Sequence, residues 1–309
     1  MLSAGLLAPA AGVVSGQDYP SRLIRIVTSG AGGGSDFASR QIAQGITGPL
    51  GQPVIVENRP APQAAEAASR AAGDGYTLLV AGGSLWITPL LQKTPWDVRD
   101  FLPLSQVSRE INIVAVHPSV PVKSIKELIV LAKARPGELN YSSAAIGSSQ
   151  QLGAELFKSM AGVNIVGISY KSSSAVITAL ISGEVQLTIN DAGLLAPHVK
   201  SGKLRALAAT SAEPSPMAPG LPTVAASGLP GYELVSMTGI LAPAKTPGAV
   251  ITRLNQEIVR VLNRADVKER FLSIGQEIVG STPEQFAATI KSDIAKIGKV
   301  IKDAGIKVD

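Results

Sequence analysis

The stretch I-R-I-V-T-S-G-A-G-G-G-S-D-F-A-S-R, residues 24–40, sets the pattern from which the remaining chain is read. Ile24, Ile26 and Val27 predict a short buried strand, Gly30, Gly32, Gly33 and Gly34 permit a tight turn, and either Ser35 or Asp36 suits a helix N-cap. A turn of this kind leaves backbone N–H groups unpaired at the positive end of a helix, which makes a seat for an anion. The predicted helix over Phe37–Ile46 stops at Gly48-Pro49, and Val54-Ile55-Val56 follows as a second strand with Glu57 at its end. Strand, glycine turn, helix, strand and acid outline a dinucleotide-binding unit. The G-x-G-x-x-G spacing is not met, however: a count from Gly30 reaches Ser35 in the sixth place, and a count from Gly32 reaches Phe37. An NAD(P)-dependent oxidoreductase built on the Gly30–Glu57 unit is therefore the alternative reading, and a binding protein the leading one.

Composition narrows the choice. A chain of 309 residues, 45% hydrophobic and 17% charged, is globular and long enough for two domains or one large α/β unit. Its net charge is +5, but the 28 Lys and Arg are scattered with no dense basic run among aromatics, which argues against nucleic acid and for small anions. The absence of cysteine removes thiol catalysis, disulfides and thiolate metal sites. His117 and His198 each lie next to a proline in no ligating pattern, so no metal and no cofactor are expected. There is no G-x-S-x-G elbow, no H-E-x-x-H and no P-loop ending in Gly-Lys-Ser or Gly-Lys-Thr. Asp36 and Asp191 have simpler roles as a cap and a turn residue than as paired catalytic carboxylates, and Lys171 is more readily a charge partner than a nucleophile. The protein is expected not to be an enzyme. Residues 1–17 carry no charge, and the apolar run Leu2–Val14 is too short to span a bilayer, so this segment is expected to be a signal-peptide remnant or a disordered tail.

Further along, Tyr76–Val80 predicts a third strand, followed by the small-residue loop Ala81–Trp86, where ligands of open α/β sheets collect. Ser84 belongs to this loop, and Trp86 is either a ligand platform or core. Ile111–Val116 is an apolar strand, Pro118–Pro121 a link, and Ser124 caps a helix to Lys133 with Glu127 in the capping-box place. The opening pattern then returns: strand Leu139–Ser142, turn Ser143–Ser149 and helix Gln150–Met160. The strand Val185–Ile189 delivers Asn190 and Asp191 to another loop. Two strand–turn–helix units more than 100 residues apart imply two lobes facing one cleft.

These segments resemble the Bug-type extracytoplasmic solute receptors of tripartite tricarboxylate transporters. The likeness is carried by G-G-G-S-D-F-A-S-R from Gly32, L-G-Q-P-V-I-V-E-N-R-P from Leu50, D-G-Y-T-L-L from Asp74 and A-K-A-R-P-G-E-L-N-Y from Ala132. It continues in G-S-S-Q-Q-L-G-A-E-L-F from Gly147, Tyr170-Lys171, G-K-L-R-A-L-A-A-T-S from Gly202, G-I-L-A-P-A-K-T-P from Gly239 and S-T-P-E-Q-F from Ser281. The resemblance implies a two-lobed α/β periplasmic binding protein, type II-like, each lobe a mixed sheet flanked by helices. Lobe 1 is expected over 18–116 and 239–309, and lobe 2 over 117–238. It also implies a monomer exported to the periplasm that hands a small carboxylate to membrane permease subunits. Carried over residue by residue, the site would comprise Ser29, Gly33, Gly34, Ser35 and Asp36 on one side and Ser143, Gly147, Ser148 and Ser149 on the other, with Ser84, Tyr170, Asn190 and Asp191 lining the remainder. Trp86 stands where a small residue is usual, and is expected to shape the pocket for a flat acid such as terephthalate or phthalate; an aliphatic di- or tricarboxylate is the other possibility.

Overall fold

The structure, a computed structural model, describes residues 19–143, 148–170 and 173–306. The first lobe begins with strand β1 (Ile24–Thr28), helix α1 (Gly34–Leu50), strand β2 (Val54–Asn58), helix α2 (Ala61–Ser69), strand β3 (Thr77–Gly82) and helix α3 (Ser84–Leu91). A 16-residue strand, β4 (Phe101–Val116), leads out of it. Helix α4 (Ile125–Ala134), strand β5 (Asn140–Ser143), helix α5 (Ser149–Ala161), strand β6 (Val166–Ser169), helix α6 (Ser173–Ile181), strand β7 (Leu187–Asp191), helix α7 (Ala192–Lys200) and strand β8 (Arg205–Ala209) follow. Strand β9 (Val235–Pro243) returns to the first sheet, and helices α8 (Gly248–Leu262) and α9 (Ala265–Ser273), strand β10 (Gln276–Ile278) and helix α10 (Pro283–Ala304) close the chain.

The two lobes repeat one topology. In the first sheet the strands lie in the order β2-β1-β3-β9-β4, and in the second β6-β5-β7-β4-β8. In each, the opening strand lies between two parallel neighbours, β1 between β2 and β3, and β5 between β6 and β7. The strand arriving from the other lobe is antiparallel. The helix after each opening strand thus starts where the strand order reverses, the usual ligand position in such sheets.

Strand β4 belongs to both sheets. Phe101–Ile111 pair with β9, while Asn112–Val116 pair with β7 and, from Ile113 on, with β8. The change of sheet falls between Ile111 and Asn112, ahead of the Pro118–Pro121 link. The sequence predicts a strand only from Ile111, because Pro103, Ser105, Gln106 and Ser108 interrupt the apolar pattern. The structure accommodates them individually. Pro103 sits at a register shift, Ser105 donates to the Ser281 carbonyl (2.9 Å), and Ser108 donates to Gln276 (3.1 Å). Paired in this way, buried polar side chains carry little penalty.

Helix α1 buries Ala38, Ile42, Ala43 and Ile46 and runs through Pro49 to Leu50; its stop is Gly51, in the left-handed conformation (φ 66°). A proline in the last turn removes a single hydrogen bond, so it does not end the helix where the sequence predicts. Helix α10 spans the lobes: Phe286 and Ile290 pack with Trp86 and Leu241, while Ile297, Val300 and Ile301 pack with the second-lobe core around Leu152 and Val114. A methyl at Gly239 on β9 would lie 2.0 Å from the Phe286 ring. Gly239→Ala is therefore expected to destabilise the protein by about 1–3 kcal/mol through overpacking, seen as a lower urea midpoint with an unchanged slope.

Candidate functional site

A cavity of about 430 Å³ opens between the lobes. Gly32, Gly33, Gly34 and Phe37 line it from the head of α1, and Ser149 and Gln150 from the head of α5. Its remaining wall holds Glu110 and Asn112 of β4, Asn190 and Asp191 at the end of β7, and Gln276 of β10. Ser149 and Ser236 also line a second cavity of about 230 Å³, which reaches Ser148, Gly83 and Ser84. Ser84 in turn lines a third, of about 360 Å³, with Ser29 and Ser35. Each cavity thus shares lining residues with the next.

Two side-chain amides face the first cavity without partners. Asn112 is 2% exposed and Asn190 fully buried, and the Nδ2 of each has no hydrogen bond among the described residues. The orientation of Asn190 is fixed, because its Oδ1 accepts from Gln150 Nε2 (3.0 Å) and from the Asp191 backbone N–H (2.8 Å). Its amino group is therefore the end left free. Buried donors without partners are rare, and each left unsatisfied costs about 1–3 kcal/mol.

The cavity also holds two acids. Glu110 accepts from Gln276 Nε2 (2.6 Å), and its Oε1 lies 3.1 Å from where a Gly34 Cβ would stand, so a carboxyl group of the protein itself sits against the first turn of α1. Asp191 caps α7 by accepting from the Leu194 amide (2.9 Å). Burial pushes both carboxyl groups above the ordinary range, and at Glu110 the neighbouring Asp191 adds to the effect. No lysine or arginine lines this cavity among the described residues.

Nine of the fourteen sequence-predicted site residues line these cavities. Gly33, Gly34, Ser149, Asn190 and Asp191 line the first cavity, while Ser29, Ser35, Ser84 and Ser148 line the adjoining ones. Asp36 does not line the cleft. Its buried carboxylate accepts from the Gly32 amide (3.0 Å), Asn58 (2.8 Å) and Arg40 (3.0 Å), tying down the glycine turn from behind, and these bonds hold it below the usual range against the cost of burial. Helix α1 accordingly starts from Gly33 with no side-chain cap, in place of the predicted Ser35 or Asp36. Trp86 is a correction as well. It is 1% exposed, its ring meets Phe286 edge-on, and its Nε1 donates to Asp293 (2.7 Å), so it belongs to the core of α3 and α10 and not to the pocket. Ser143 is buried at the end of β5, its carbonyl accepting from the Tyr170 amide (2.9 Å), and the Tyr170 hydroxyl donates to Glu184 (2.8 Å). Neither lines these three cavities. Gly147 and Lys171 lie outside the described residues. Sequence reasoning missed Glu110, Asn112, Gln150, Ser236 and Gln276. Asn112 alone left a signal, as a single polar residue inside the apolar run Ile111–Val116.

Glu57, the acid expected to serve a ribose in the alternative reading, is engaged by Arg25 and Arg59. Among the described residues no group of three or more His, Asp or Glu is placed to hold a metal.

Two lobes of one topology, joined through shared strands around a polar cleft, define a solute-binding protein of the periplasmic type. Residues 38–306 match the tripartite tricarboxylate transporter family receptor, and the chain belongs to that family, whose members are periplasmic receptors. Among relatives, the protein BugT of Bordetella pertussis is 33% identical over 314 residues, covering 99% of this chain and 95% of its own. Among solved structures, R. palustris Rpa4515 with adipate is 34% identical with a TM-score of 0.76, covering 94% of this chain and 99% of that one. MatC from Rhodopseudomonas palustris with bound malate is 25% identical with a TM-score of 0.72, covering 92% and 100%. Among the described residues no helix is long and apolar enough to cross a membrane.

A carboxyl group whose pKa is raised on folding binds its proton more tightly in the native chain, so it subtracts stability as pH climbs from its unfolded value through its folded one. Glu110→Gln, which can keep the bond to Gln276, is therefore expected to raise the melting temperature near pH 7 and to leave it unchanged near pH 4. A difference confined to acid pH would contradict the raised value.

Proposed function

We propose that this protein is a periplasmic receptor that captures a small organic carboxylate in the interlobe cleft and passes it to the permease subunits of a tripartite tricarboxylate transporter. The observation that carries this reading is the pair of buried amide donors of Asn112 and Asn190, unpartnered among the described residues, near the head of α5, whose Gln151 amide is capped by Ser148. A carboxylate accepts hydrogen bonds from just such groups, each contributing roughly 1.5–3 kcal/mol, whereas the dipole of a helix end adds about 0.3–1. The adipate and malate in the two related structures support an aliphatic acid. The aromatic acids terephthalate and phthalate lose the residue proposed to favour them, since Trp86 is core. Ser29, Ser35, Ser84, Ser148 and Ser149 would then offer hydroxyl and backbone donors along the cleft.

A melting screen across aliphatic di- and tricarboxylates, the two aromatic acids and NADH tests the proposal. Ligand at a hundred times its dissociation constant stabilises by about 2.7 kcal/mol, so a binding acid shifts the melting point by several degrees while NADH leaves it in place. Asn112→Ala removes one donor and, among the described residues, has no other side-chain bond to lose. It is expected to weaken the selected acid by roughly 10- to 150-fold, the equivalent of 1.5–3 kcal/mol, in isothermal titration, with no loss of stability in the empty protein. Stabilisation by NADH and by no acid would favour the oxidoreductase reading.

A further inference from the structure

We infer that the outer face of helix α4 docks this protein against an anionic lipid surface, through lysines that flank a solvent-facing valine. The surface lies outside the cleft, and its role does not depend on which solute the cleft holds. Helix α4 connects the end of β4 remote from Asn112 to the start of β5, and none of its residues lines the three cavities described above. Ile125, Leu128 and Ala132 bury its inner side in the second-lobe core. On the outer side Lys126, Val130 and Lys133 follow one another at helical spacing along one face, and all three are exposed. Val130, at 67%, is the most exposed large hydrophobic side chain among the described residues.

Cations that are scattered in the sequence gather here in the fold. Arg205, at the start of β8, donates to the carbonyls of Val120 (3.2 Å) and Val122 (2.9 Å). This holds the start of β8, with exposed Lys203 before it, against the segment that leads to Lys123 and α4. Arg135 ends the helix. Lys123, Lys126, Lys133, Arg135 and Lys203 have no ion pair among the described residues, whereas first-lobe arginines such as Arg22, Arg40 and Arg99 are each matched to an acid. Two acids lie near α4: Glu127 turns its carboxylate back to the Lys123 amide (2.7 Å), and Glu138 follows the helix. The balance of the face is positive.

Its composition selects the partner. Protein interfaces favour arginine and aromatic rings and are poor in lysine. Here lysine dominates, and residues 118–138 contain no Phe, Tyr or Trp. Point charges on flexible stems suit a field of phosphate headgroups, to which each lysine near the surface adds about fivefold in affinity. Because the apolar stripe of α4 is committed to the core, the helix cannot sink into the bilayer. The contact is therefore peripheral, electrostatic and sensitive to salt.

Sedimentation of the full chain with vesicles tests this. Phosphatidylcholine vesicles containing about one-third phosphatidylglycerol are expected to carry the protein down at low salt, while pure phosphatidylcholine, or the same mixture in about 0.5 M salt, is not. Lys126→Gln combined with Lys133→Gln is expected to weaken partitioning about 25-fold. The control pair Lys268→Gln with Lys291→Gln alters two exposed lysines of α9 and α10, also without ion pairs among the described residues, and is expected to weaken it less than about threefold. All four side chains are exposed, so both variants should melt with the unaltered chain. Failure of the anionic vesicles to bind would overturn the inference, and so would an equal loss in the two pairs, which would assign the attraction to net charge. Soluble polyglutamate bound more tightly than the vesicles would overturn it as well, in favour of an acidic polypeptide.

Discussion

The constraint on which this molecule depends is the double membership of β4. Its first eleven residues hydrogen-bond to β9 and its last five to β7, with β8 joining from Ile113, so one continuous backbone fixes how the two sheets meet. Glu110 and Asn112 stand on either side of that crossing. The floor of the cleft is therefore built from backbone ladders, while its walls are the heads of helices that begin at topologically equivalent turns. Helix α10 adds a third connection, with its first half in one core and its second half in the other.

That floor is costly to keep. Two buried amides without partners among the described residues and two carboxyl groups whose pKa is raised by burial all oppose folding of the empty protein. Nothing in the packing requires them: Ile113 and Val114, beside Asn112, show that the strand accepts aliphatic residues in full burial. Unsatisfied polarity at these positions fits the proposed receptor, in which a bound acid would answer it. The same logic separates Asp36 from Glu110. Asp36 is answered by Gly32, Asn58 and Arg40 and so shapes the glycine turn, whereas Glu110 lines the cavity and, among the described residues, has one oxygen without a hydrogen-bond partner.

Much of this organisation was legible in the sequence. The glycine turn after Thr28 and its counterpart after Ser143 stand out because the turn residues, helix periodicity and apolar strands are local signals, and their recurrence implies the two-lobed α/β fold. Asn190 and Asp191 could be placed because a short apolar strand delivers them to a loop. What escaped depends on pairing between distant segments. The first half of β4 looks polar until Ser281 and Gln276, more than 160 residues later, answer Ser105 and Ser108. Gln276 comes from a three-residue strand that no periodicity can announce. Trp86 shows the converse error: a large aromatic in a small-residue stretch invites a ligand-binding role, and only its bond to Asp293, 207 residues away, shows it to be structural.

If one ligand bridges both helix heads across the shared strands, amide hydrogen exchange records it most directly. In the presence of the acid that stabilises the protein most, the segments Gly32–Phe37 and Ser149–Gln151 should become protected together, while β1 and β5 behind them change little. Protection of one segment alone, or of neither, would contradict capture of the ligand between the lobes.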